Sequence, residues 1–61
     1  MIIVILPEGH QERYYLRDCT PYKIYECTEY NSSVGRYVFT DDRNDEVGLS
    51  ERDDGVSYLI L

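Results

Sequence analysis

The side chains best able to do covalent or metal chemistry are His10, Cys19 and Cys27, together with a set of serines. A nucleophilic Cys–His pair needs a thiol whose pKa is lowered by a helix N-terminus or a basic cluster, and neither cysteine has one. Structural zinc takes four N/S ligands, and two cysteines with one histidine fall short. Ser32, Ser33, Ser50 and Ser57 lack a nucleophile-elbow setting. No enzyme activity, metal or cofactor is therefore expected. In a secreted chain Cys19 and Cys27 would close a nine-residue loop, stabilising by roughly 2–3 kcal/mol. An apolar run starting at residue 1, with no basic segment before it, is unlike a secretory signal. Two reduced thiols in a cytoplasmic protein are the expectation.

The acids offer more. Residues 1–25 balance Arg13, Arg17 and Lys23 against Glu8, Glu12 and Asp18. The whole net charge of -6 therefore belongs to residues 26–61. Seven acids fall within 41–54: Asp41, Asp42, Asp45, Glu46, Glu51, Asp53 and Asp54. Two polar turns need such residues anyway. Together they also form a patch that would meet a basic partner surface and speed encounter. A sharper version is nucleic-acid mimicry, with carboxylates standing in for phosphates in the groove of a nuclease or another DNA-binding protein. Calcium fits badly. An EF-hand loop starting at Asp42 would put Val47 where glycine is required and Asp53 where glutamate is required.

Tyrosines supply a third chemistry. Tyr14 and Tyr15 lie between Arg13 and Arg17, and Tyr22 and Tyr25 flank Lys23. Aromatics beside bases can stack single-stranded nucleic acid. Most of the seven tyrosines must instead fill a small core with their hydroxyls at its rim. The Arg13/Tyr15/Arg17 face is the second candidate contact region.

Sixty-one residues make one domain at most, here taken as 1–61. A chain of this size buries only about 60% of its unfolded surface and is marginal. The longest apolar run, Met1 to Leu6, is six residues, against about 20 for a membrane helix. Direct duplex-DNA binding is opposed by the charge. With five Val, five Ile, seven Tyr and no Ala, the composition favours strand over helix.

The pattern predicts strands over residues 2–6, 12–17, 22–30, 36–40, 46–49 and 56–61. The turn at Pro7–His10 would join the first two as a hairpin, with Tyr14 and Leu16 on one face of the second. Neither face of 22–30 is purely apolar, which predicts a bulge. Ser50 with Asp53 suggests one 3₁₀ turn near 50–54 before the last strand. The apolar ends should pair with each other. If Ile2, Val4 and Leu6 face the core, then Ile3, Ile5, Leu59 and Leu61 face outward and would serve as a homodimer or partner face. The expected fold is all-β: a small antiparallel barrel of five to six strands, or a strongly curved sheet.

Over residues 20–58 the chain resembles small SH3-like barrel proteins of bacteriophages and bacteria. Those read as a turn, then Gly-Lys-x-Tyr-x-Val, then Tyr-x-hydrophobic-x-Asp-Asp-x-Gly-Glu. The matching residues are Tyr22-Lys23-Ile24-Tyr25-Glu26-Cys27, Arg36-Tyr37-Val38-Phe39-Thr40-Asp41-Asp42 and Asp45-Glu46. Tyr22 stands in the glycine place, Cys27 in the valine place, and Asn44 near the turn glycine, where Asn tolerates left-handed geometry. The resemblance implies an SH3-like barrel and a phage-encoded accessory protein that binds and modulates, or inhibits, a host protein.

Overall fold

β-Branched and aromatic residues give six strands, and the computed structural model describes all residues 1–61. The strands are β1 (Ile2–Ile5), β2 (Ile24–Glu26), β3 (Glu29–Asn31), β4 (Arg36–Thr40), β5 (Glu46–Ser50) and β6 (Tyr58–Ile60). They form two antiparallel three-stranded sheets, ordered β2-β1-β6 and β3-β4-β5. The all-β expectation holds. The ladder does not run round a full barrel, because no pairing joins one sheet to the other. The two ends pair as expected, with Ile3 opposite Ile60 and Ile5 opposite Tyr58.

The core lies between the inner faces of the two sheets. Ile3, Ile5, Tyr25 and Tyr58 come from one, and Tyr37, Phe39, Val47 and Leu49 from the other. Leu16 and Cys19 complete it. The Tyr25 and Phe39 rings meet at 5.0 Å between centroids. The face of β1 is therefore opposite to the one expected: Ile3 and Ile5 are fully buried, while Ile2, Val4 and Leu6 are half-buried. A one-residue shift exchanges the faces of a strand, and a continuous apolar run carries no signal to choose between them.

Residues 12–17 are not a strand and form no hairpin with β1. Pro7 starts a short helix, α1 (Pro7–Glu12), with its fixed φ suited to the first turn. A 3₁₀ turn (Tyr14–Leu16) follows. Leu16 and Cys19 are both buried, which is the three-residue spacing of that geometry, while Tyr14 is exposed and shares no face with Leu16. Gly9 lets the helix lie against β6, because a Cβ there would collide with the Ser57 carbonyl.

The expected strand 22–30 breaks in two, and each half joins a different sheet. Thr28 N–H donates to the Val38 carbonyl at 2.8 Å, while Glu29 is Val38's register partner. Two residues thus face one, which is the bulge expected there. The second 3₁₀ turn (Glu51–Asp53) also appears, and the Ser50 hydroxyl accepts from Arg52 N–H at 3.3 Å.

Candidate functional site

The β4–β5 turn is built by its first acid. Asp41 Oδ1 accepts from the N–H groups of Arg43 and Asp45, each at 2.9 Å. Asn44 takes φ 67°, the left-handed residue of a three-residue hairpin loop. Asp41 is buried and its carboxylate is committed to this turn. Asp42 is committed elsewhere: it accepts from Lys23 Nζ at 2.5 Å, Thr20 Oγ1 at 2.7 Å and the Tyr25 hydroxyl at 3.0 Å. The Lys23 hydrogen bond, then that of Thr20, lowers its pKa to about 2. Asp42 therefore clamps the turn to the segment that leads into β2.

Asp53 accepts from Arg13 Nη2 at 3.1 Å, holding the second acidic turn to the helical segment. Asp18 sits 3.9 Å from Arg43. Asp45, Glu46, Glu51 and Asp54 are exposed and make no ion pair. The seven turn acids thus divide into structural carboxylates (Asp41, Asp42, Asp53) and free ones.

Sequence placed the acids and the Tyr15/Arg17 pair in separate regions. The fold brings part of each to one cleft of about 330 Å³. Tyr14, Tyr15, Arg17 and Asp18 line it from the 3₁₀ segment. The turn and β5 supply Asp41, Asp45, Glu46, Val47 and Gly48. Tyr14 and Tyr15 meet edge to face at 5.6 Å, with Tyr14 80% exposed. Arg13 does not share this cleft, because it is turned to Asp53. Glu51, Asp53 and Asp54 also lie outside it. Tyr14 and Asp18 were missed as contact residues. The signal for Asp18 was its closeness to Arg17, which makes the segment mixed in charge.

The cleft suits a cation. Its carboxylates outnumber Arg17, and the tyrosine rings offer π faces to a positive group. The same carboxylates would repel the phosphates of a single strand stacked on Tyr15.

The histidine and the two cysteines do not line this cleft. Burial, then Asp41 and Asp42, pushes the Cys19 thiol up to about 12, away from thiolate character. His10 Nε2–H donates to the Arg17 carbonyl at 3.1 Å. Both cysteines are free thiols. No grouping of three His, Cys, Asp or Glu side chains is arranged to hold a metal, and no helix is long and apolar enough to cross a membrane.

The dimer face expected from Ile3, Ile5, Leu59 and Leu61 needs correction. Ile3 and Ile5 are core, so they present nothing outward. The outward row of the β2-β1-β6 sheet is instead Ile24, Val4 and Leu59, which are opposite one another in register. Ile24 is 64%, Leu59 39% and Leu61 73% exposed, so part of the expected apolar surface survives with different members from β1.

Comparison with protein-family models, with curated proteins and with solved structures finds no match.

Proposed function

We propose that this is a small acidic binding protein that engages a basic surface of another protein and modulates it. The observation that supports this reading is the convergence of Asp18, Asp45 and Glu46 with Tyr14 and Tyr15 around one cleft. The unpaired Asp45 and Glu46 speed the encounter, and the rings give the contact an apolar floor once water leaves. Modulation follows from occlusion: a domain of this size seated on a basic surface covers what that surface binds. A phage-encoded inhibitor of a host protein fits this description. Mimicry of nucleic acid is its special case, in which the covered surface is one that binds DNA.

The test is affinity capture from a cell lysate with the wild-type protein and with a double variant, Asp45→Lys and Glu46→Lys. Both positions are exposed and unpaired, so the variant keeps the fold. Reversing Asp41, Asp42 or Asp53 would unsettle turns instead. One partner with a basic surface should be captured by the wild-type chain, with retention reduced at least about tenfold by the variant. Equal retention by both would reject the cleft as the contact.

A further inference from the structure

Four strands lie at sheet edges, and one differs from the rest. β2, β3 and β6 are each three residues long, whereas β5 is five. On β6 the outward Tyr58 carbonyl is already used, accepting from Gly55 N–H at 2.7 Å. In β5 the register with β4 decides which backbone groups are free. Asp41 N–H donates to the Asp45 carbonyl and Glu51 N–H to the Gly35 carbonyl, both in line with the β4–β5 register. Antiparallel bonding pairs alternate. Val47 and Leu49 therefore bond inward to β4, and Glu46, Gly48 and Ser50 turn their N–H and C=O groups outward. None of those outward groups has a backbone partner.

A cleft also adjoins the edge. The acidic and aromatic cleft flanks its Asp45–Gly48 end. A second cleft of about 440 Å³ lies over the β4–β5 ladder, lined by Val34, Gly35 and Arg36 from the β4 side and Gly48, Leu49 and Ser50 from β5. The two meet at Gly48. A strand with free backbone groups and an adjoining pocket has the geometry of peptide recognition by strand addition. In that mode main-chain bonds give affinity, and pockets for alternate side chains give specificity.

Building on the proposed binding of a basic partner, we infer that β5 is a strand-addition edge. An extended segment of the partner pairs with Glu46, Gly48 and Ser50 and sets a lysine or arginine among Asp18, Asp45 and Glu46. Charge selects this occupant. Edge strands left open invite any chain, and charges on the edge bias the choice. A second copy of this chain would bring net charges of -6 together and set acid against acid at the cleft. A basic segment meets Arg17 and the Arg36 guanidinium over Gly48, but these are outnumbered by the carboxylates at the cleft and by the net charge of -6.

The probe is a blocked hexapeptide of alternating lysine and valine, titrated into the unmodified protein while amide exchange is followed residue by residue. Exchange at Glu46, Gly48 and Ser50 should slow at least about tenfold, with Ile24 and Glu26 on the other sheet's edge unchanged. Methylating every internal backbone nitrogen of the peptide keeps its charge and should abolish that protection. A glutamate–valine peptide should not bind. If the methylated and plain peptides bind equally, strand addition is overturned while the acidic cleft stands. If the lysine peptide fails to bind, strand addition is likewise overturned, and the lysine-reversal capture decides the cleft separately. Protection of Glu46, Gly48 and Ser50 that grows with protein concentration alone, with a dimer in sedimentation, would assign the edge to a second copy and overturn the basic occupant.

Discussion

Three donors converge on the Asp42 carboxylate, and this sets an acid-sensitive point in the fold. Its pKa is lowered from 3.8 to about 2 by Lys23 first and Thr20 next. A depressed carboxylate pKa contributes stability that is present above its unfolded value and lost as pH falls through its folded value. The contribution of Asp42 is therefore complete above about 4 and gone below about 2. Asp42→Asn should flatten the fall in urea midpoint over that interval relative to wild type; parallel acid limbs would show that the clamp carries no weight. Tyr22 gives a second residue-scale test. It takes φ 67° after Pro21, and Lys23 N–H donates to the Thr20 carbonyl at 3.2 Å, closing a turn of the type that favours glycine at that place. Tyr22 is 70% exposed, so little burial opposes its replacement. Tyr22→Gly should leave stability unchanged or raise it by up to about 1 kcal/mol, read from urea denaturation, and a loss larger than that would contradict the turn. The left-handed Asn44 was legible from residue type alone. The division of labour among the turn acids was not, because Asp41 and Asp42 differ from Asp45 and Glu46 only in what the folded chain brings beside them.

Elements were legible where turns and periodicity agreed. The β3–β4 and β4–β5 hairpins, the bulge at Thr28 and Glu29, and the second 3₁₀ turn all follow from local chemistry. The segment 12–17 misled because its alternation suits a strand, while the buried Leu16 and Cys19 follow the three-residue repeat of a 3₁₀ turn. The face of β1 was ambiguous for the opposite reason: every residue in it is apolar. The structure makes a sharp claim there. Ile5 is fully buried and Val4 is half-buried. Ile5→Ala should cost about 2–5 kcal/mol and Val4→Ala about 1 kcal/mol or less, compared by thermal or urea unfolding. The reverse order would place the other face of β1 in the core.

At the scale of the molecule, charge and packing are linked. Three of the six cations pair with acids: Arg13 and Lys23 reach the turn acids Asp53 and Asp42, and Arg43 of the turn reaches Asp18. These pairs tie the turns to the helical segment and to the start of β2. They leave Asp45 and Glu46 unpaired at the start of β5, beside the tyrosine pair. The net charge of -6 belongs to residues 26–61, and two of its unpaired acids, Asp45 and Glu46, face the cleft and the open edge. Steered association of this kind is quick at low ionic strength and is screened within about 10 Å at 0.1 M salt. The most direct test is the association rate of the captured partner, measured across a salt series for the wild type and for the Asp45→Lys, Glu46→Lys variant. The wild-type rate should fall steeply with salt, and the variant should associate more slowly with little salt dependence. Equal rates with equal salt slopes would contradict this steering.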